Sequence, residues 1–299
     1  MTDTDIEPEP AEPPPREPAD LDKASHGHRH RRGLLAIGAL ALLIVLAGGG
    51  VIGRYVFRSH PGARSVDSAV DDFRSASSTV DSGPVGFVRP TAGVYQAAGE
   101  GEERISKPPN SQSDGATMPI SVTYVANGCW TWHIDYNAAH WHEFDFCPAG
   151  GELLLVGQRN FQSWDFGFMK AENLGTYSCD PPAPIVAEAA TVGASFQHHC
   201  TGDNTAAPGP STSEGPATIV GTETISIGGV DVATVHQTRR QAMSGTQVGQ
   251  IDEDWWYAAD TGLPVRSERH YQVDTASVIG AISYTEQGSW QLTSMEPRT

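Results

Sequence analysis

From Gly93 onward apolar and polar side chains alternate with a period of two, in short runs separated by Gly, Pro and Asn. That is the pattern of antiparallel strands with one buried face. It predicts strands over Val94 to Ile105, Ile120 to Val125, Cys129 to Tyr136, His140 to Phe146, Leu153 to Arg159, Thr218 to Ile227, Val230 to Arg239, Trp255 to Ala258, Val265 to Val273, Ile279 to Glu286 and Trp290 to Ser294. The Gly-, Pro-, Ser- and Thr-rich stretch from Thr201 to Pro216 is predicted as the longest loop. Upstream the period changes: Val66, Ala69, Val70, Phe73 and Ser77 recur at helical spacing behind Ser65, a suitable N-cap, so one short helix is expected. Further upstream, Gly33 to Gly53 carries no charge over 21 residues. At helical rise it reaches roughly 31 Å, enough for one transmembrane helix, and Tyr55 and Phe57 follow as interfacial aromatics.

The chain therefore divides into an acidic, Pro-rich disordered tail with a basic flank (1–32), the transmembrane helix (33–57), a stalk with the short helix (58–90) and an all-β domain (91–299). The expected fold class is mainly antiparallel all-β, a curved sheet or half-barrel. All four cysteines, Cys129, Cys147, Cys179 and Cys200, follow the apolar span, which fits disulfides in an oxidising compartment. Charge flanking the span is nearly symmetric, so the cysteines decide the orientation: N-terminus cytoplasmic, C-terminal domain extracytoplasmic, single pass through the cell membrane. Ala47, Gly48 and Gly49 would also suit a cleaved signal peptide, but the polar region before the span exceeds thirty residues, so an uncleaved anchor is expected.

The stretch CWTWHIDYNAAHWHEFDFC, Cys129 to Cys147, reads as a hairpin. A three-residue loop at Asn137, Ala138 and Ala139 would pair Tyr136 with His140, Ile134 with His142, Trp132 with Phe144 and Trp130 with Phe146, and would bring Cys129 opposite Cys147. By elimination Cys179 would bond Cys200, one of three possible pairings of four cysteines. If the sheet curves, Trp130, Trp132, Phe144, Phe146, Trp255 and Tyr257 would line an apolar face for a hydrophobic ligand, partly capped by the helix around Val66 to Phe73; the alternative is a dry core. The opposite face of the hairpin sets His133 beside Glu143, the candidate acid-base or metal pair, with His140 and His142 pointing away. His198, His199 and Cys200 form a second cluster, which a disulfide at Cys200 would strip of its thiolate. The run Asp252, Glu253, Asp254 lacks the glycine and spacing of a calcium loop and reads as a solvated strand edge.

Composition narrows the partners. With 36 acidic against 19 basic residues the chain carries a formal charge of -17, which excludes a polybasic nucleic-acid binder. Nucleophile-elbow, His-Glu-x-x-His, phosphate-loop and dinucleotide signatures are absent from the sequence. No cofactor, metal or catalytic residue is assigned. The favoured reading is a membrane-anchored extracytoplasmic module that binds an envelope protein or a hydrophobic ligand; the alternative is a hydrolytic or metal-dependent enzyme using His133 and Glu143.

Between Thr218 and Met295 further features stand out: Gly221 and Glu223 before a Gly228-Gly229 turn, the Trp255-Trp256-Tyr257 strand, and the turn Asp260-Thr261-Gly262-Leu263-Pro264 running into Arg266 and Glu268. This strand rhythm resembles the LolA-like and DUF3108-like families of bacterial envelope proteins. The resemblance implies a curved antiparallel sheet wrapping one or more helices, with a lipid or lipoprotein chain carried in the concave face in some members. It covers about 80 residues, leaves the disulfide-bearing half without a counterpart and transfers no functional residue by motif. The whole chain also resembles anchored extracytoplasmic proteins of GC-rich actinobacteria.

Overall fold

The computed structural model describes residues 61–76, 88–167, 169–187, 191–277 and 280–299. The acidic tail, the apolar span and much of the stalk lie outside the described residues, as does Ser77. Among the described residues no helix is long and apolar enough to cross a membrane.

Among the described residues one α-helix, α1 (Val66–Ala76), precedes thirteen strands: β1 (Gly93–Ser106), β2 (Pro109–Ser113), β3 (Thr117–Tyr124), β4 (Trp130–Asn137), β5 (His140–Ala149), β6 (Glu152–Asp165), β7 (Lys170–Ala187), β8 (Ser195–Asn204), β9 (Pro210–Ile227), β10 (Val230–Gly245), β11 (Gln247–Ala258), β12 (Pro264–Thr275) and β13 (Ile282–Leu292). Every pairing is antiparallel and nearly every strand pairs with its sequence neighbours. β2 and β3 both lie beside β1, against its later and earlier halves, so they share one lane. β13 then pairs with β1 from Ala97↔Leu292 to Ile105↔Tyr284. The sheet is thus a closed up-and-down barrel of twelve lanes, not the half-barrel expected from the sequence. Closure removes two long unpaired edges that an open sheet would expose.

The helix forms where predicted. Ser65 Oγ accepts the backbone N–H of Ser68 at 3.1 Å, satisfying one orphan donor of the first turn. Its apolar stripe, Val66, Ala69 and Val70 with Phe73 beside them, packs on Val94, which faces outward from β1. The helix therefore braces the outer wall and does not cap the aromatic interior.

The Cys129–Cys147 and Cys179–Cys200 disulfides both form, and Cys179 faces Cys200 in register between β7 and β8. The β4–β5 hairpin keeps three of the four predicted pairs, Trp130↔Phe146, Trp132↔Phe144 and Ile134↔His142. Near the turn Asn137 instead of Tyr136 pairs with His140, because Tyr136 is the extra residue of a bulge and the loop shortens to Ala138-Ala139. Asn137 Oδ1 accepts the Ala139 N–H at 2.7 Å, a side-chain turn that stabilises this shorter connection.

Three strands arise where the sequence predicts none. β2, β7 and β8 alternate weakly, and the predicted loop 201–216 is the end of β8 and the start of β9. Asp180-Pro181-Pro182 sits where the β6–β7 register shifts between Leu155 and Gly157, a bulge that tolerates residues unable to donate to a ladder. The predicted break between Glu286 and Trp290 is likewise absent: β13 runs through Gly288, where a Cβ would come within 2.9 Å of three Arg269 guanidinium atoms.

Candidate functional site

Up-and-down topology gives the barrel two ends. At one lie the start of β1, the end of β13 and the tight turns at Gly150-Gly151 and Gly228-Gly229; at the other lie the β1–β2, β6–β7, β8–β9, β10–β11 and β12–β13 turns. Twelve lanes enclose more width than side chains of average size can fill. The first end is filled by large aromatics. Trp130 stacks near Phe146 (centroids 4.6 Å), and Trp132 meets Phe144 at 5.6 Å, Trp290 at 5.5 Å and Trp255 at 5.7 Å. All six residues of the predicted apolar face are buried in this cluster, Tyr257 included.

Above the aromatics the inward positions turn polar and charged. Arg239 donates to Gln237 Oε1 at 3.3 Å and to Tyr257, and its Nη1 lies 3.4 Å from Glu253 Oε2. Arg269 bridges Glu286 on β13 and Asp114 from the β2–β3 connection, and its guanidinium lies 3.8 Å from the centre of the Tyr136 ring. Glu103 takes the amide of Gln112 and the Tyr284 hydroxyl, the latter at 2.8 Å; Tyr284 also lies 2.6 Å from Glu286. His140 Nδ1 is 3.3 Å from Glu103, and His140 Nε2 is 3.2 Å from His142 Nε2. These groups form a buried belt across the barrel.

The belt polarises its histidines in opposite directions. Burial disfavours charge on His140, but the Glu103 and Glu286 carboxylates outweigh it and lift its pKa to about 9. His142, equally buried and beside the His140 charge, falls to about 3. Burial raises Glu286, yet Arg269 and His140 together hold it down to about 2. Burial pushes the Tyr271 and Tyr284 phenols upward, and the neighbouring carboxylates push them further.

Beyond the belt lies a cavity of about 450 Å³. Its walls include Ile105, Phe144, Trp164, Phe166, Met243 and Ile251; His142, Glu253 and Tyr271 reach it from the belt. Exposed Lys107, Met169 and Ala206 stand at its mouth, so the cavity opens at the second barrel end. Phe144 alone of the six predicted apolar residues lines it. A larger hollow of about 740 Å³ runs along the outer wall past Glu100, Glu102, Asp252, Asp254 and Glu268; it is an open acidic groove.

The other predicted candidates are elsewhere. His133 sits on the outer wall with Nδ1 3.2 Å from Glu143 and Nε2 3.3 Å from Asp135. Arg159 pairs with Glu143, and Asp135 also takes Arg64 at 3.0 Å. Both imidazole nitrogens are occupied, leaving no lone pair for a metal or a substrate proton, and the cavity lies on the other face of the hairpin. Although burial opposes it, these carboxylates raise His133 to about 9. Cys200 is in a disulfide, His198 lies 3.1 Å from its sulfur on the inside, and His199 faces out toward Glu214. Burial, reinforced by the Arg239 charge, lowers His198 to about 3. Glu253 corrects the solvated-edge reading of residues 252–254: it points inward and is buried between Arg239 and Tyr271, while Asp252 and Asp254 face Arg240 outside. Sequence reasoning missed Glu103, Arg239, Arg269 and Glu286 as functional candidates. The available signal was their position: each occupies an inward register site, on β1 and β13 among mostly apolar or glycine neighbours, and on β10 and β12 beside the further polar residues Gln237, Gln241 and Ser267.

No protein-family model matches the chain. No curated protein matches it either. Among solved structures it is similar to a chain described as the hypothetical lipoprotein YmcC from Escherichia coli (K12), with 13% identity, over 69% of this chain and 85% of that one, at a TM-score of 0.31. A likeness at that score carries no argument about function.

The histidine pairs predict a stability optimum. His140 and His133 have folded pKa values above the ordinary 6.5, so their contribution is complete below 6.5 and is lost as pH rises through about 9. His142 and His198 have folded values below it, so theirs is complete above 6.5 and is lost as pH falls toward about 3; Glu286 adds a loss between 4.5 and about 2. The thermal unfolding midpoint should peak at about pH 6–7 and fall on both sides. A midpoint that stays flat from about pH 4 to 9 would contradict the belt electrostatics.

Proposed function

We propose that the protein is a membrane-anchored, extracytoplasmic binding module whose barrel cavity takes a hydrophobic ligand. The observation that carries this reading is the cavity itself: about 450 Å³, walled largely by apolar side chains, floored by a polar belt and open at one end of a closed barrel. That volume lies within the range of small-molecule sites, roughly 300–1,000 Å³. The two disulfides support an oxidising compartment. The charge-free stretch from Gly33 to Gly53 supports the single-pass anchor with the N-terminus in the cytoplasm. From Ser59 to Thr299 there are 12 basic and 28 acidic residues, a balance of -16 that disfavours adhesion to anionic lipid heads. The ligand is therefore a molecule with an apolar body, received end-on at the mouth. A lipid carried by an envelope β protein, as the LolA-like resemblance implies, is of this class, although here a barrel and not a curved open sheet would hold it.

Two experiments test the two halves of this reading. For topology, Val248→Cys, on an exposed position of β11, should react with a membrane-impermeant maleimide on intact protoplasts, whereas Ala11→Cys should react only after permeabilisation. The reverse pattern overturns the orientation, and labelling of both overturns the anchor. For the ligand, native mass spectrometry of the full-length chain should show a reproducible apolar adduct that is lost in Ile251→Trp, which fills the cavity from β11. Clean apo protein, or an adduct unaffected by that substitution, would contradict the cavity's role.

A further inference from the structure

The belt contains a second arrangement that hydrophobic binding does not use. His140 and His142 lie two residues apart on β5, so both side chains point into the barrel, and Glu286 reaches them from β13. The two Nε2 atoms are 3.2 Å apart, and Glu286 Oε2 is 4.0 Å from His140 Nε2. All three ligand atoms fall within 4.8 Å of one another, and all three residues are buried. Two nitrogens held at about 2.0–2.1 Å by a tetrahedral ion lie about 3.3 Å apart. The imidazoles are thus already at the separation a zinc ion imposes.

We propose that His140, His142 and Glu286 form a transition-metal site between the belt and the cavity, with zinc the ion they fit. Two imidazoles and one carboxylate are a recurring zinc ligand set with a fourth position left open. The surrounding shell is built as such sites require. Glu103 faces Nδ1 of His140 at 3.3 Å and is itself held by Gln112 and Tyr284; Nε2, which meets His142 Nε2 in the metal-free chain, would release its proton to the incoming ion, whereas His133 is held by a carboxylate at each nitrogen. The Tyr284 hydroxyl lies between the two carboxylates, 2.8 Å from Glu103 and 2.6 Å from Glu286, and its single proton serves one of them at a time. Arg269 binds both Asp114 and Glu286 Oε1, so Glu286 would ligate through Oε2; with Asp114 offsetting the arginine, the charges of Glu286 and Glu103 balance the two of the ion. His142 stacks parallel to Tyr271, with centroids 6.1 Å apart, and lines the cavity. The open position therefore faces the space through which the ion enters, and a donor atom on a cavity ligand could occupy it. The Cys179, His198 and Cys200 cluster offers no rival, because both sulfurs are in a disulfide. This site stands whether or not the cavity holds a hydrophobic ligand.

The test uses the full-length chain with His26→Ala, His28→Ala and His30→Ala, which removes the tail histidines that would also take metal. After chelator treatment and re-equilibration with zinc, elemental analysis should find about one zinc per chain. X-ray absorption at the zinc edge should show two imidazole nitrogens. His142→Phe should lose the ion while keeping its thermal unfolding transition, and Glu103→Gln should weaken binding by about 10- to 100-fold. Absence of stoichiometric zinc in the parent chain, an absorption spectrum without imidazole ligands, or undiminished zinc in a folded His142→Phe variant would each overturn the proposal. Because the parent's stoichiometry and spectrum decide without any variant, a His142→Phe chain that fails to fold leaves the proposal falsifiable. A parent chain that binds zinc yet carries no apolar adduct would refute the ligand reading alone.

Discussion

Arg269 bridges the two sides of the barrel's closing seam. Its guanidinium is almost wholly buried between Glu286 on the neighbouring β13 and Asp114, 155 positions earlier in the chain, and it lies over the Tyr136 ring. The last strands are thereby joined to the first ones at the seam where β13 meets β1. Gly288 leaves the slot in which the guanidinium sits, and at Gly101 a Cβ would collide with Asp114. Removing one member of such a buried ionic group costs about 3–5 kcal/mol, because the others are left desolvated and unpaired. The network is worth little as a source of net stability against an apolar replacement. Its consequence is specificity: only a closed barrel brings β2–β3, β12 and β13 to the same point.

That closure sets the interior problem. A twelve-lane barrel is wider than eight lanes, the number whose interior side chains just fill. The chain meets this by layering. Four tryptophans, two phenylalanines and their neighbours plug one end; the belt of Arg239, Arg269, four acids and two histidines seals the plug with hydrogen bonds and ion pairs; the remaining width stays as the cavity. The belt gives the cavity a polar floor, and this juxtaposition makes both a hydrophobic ligand and a bound metal compatible with one fold.

Local features were legible in the sequence and non-local ones were not. The β4–β5 ladder and the Cys129–Cys147 bond follow from a short turn and a period of two, and Ser65 as N-cap with its helical stripe follows from local spacing. The one-residue error at Tyr136 arose because a two-residue turn with a bulge and a three-residue loop share the same sequence. β7 and β8 hid because walls near a cavity mouth need not be apolar inward, so alternation fades at Asn173, Gly175 and Asn204. Closure was invisible, since a pairing between Ala97 and Leu292 leaves no mark on either segment alone. The belt was hidden for the same reason. Glu103, Arg269 and Glu286 carry no mark of burial in their own segments, and only the barrel places them beside His140.

The closed seam is tested most directly by residue-resolved amide hydrogen exchange on the disulfide-intact protein. The N–H groups paired between β1 and β13, from Ala97 to Ile105 and from Tyr284 to Leu292, should exchange only through global opening, as slowly as those of the β4–β5 hairpin. Seam amides that exchange like free strand edges while β4–β5 stays protected would contradict a closed barrel, and with it the belt and the cavity that depend on closure.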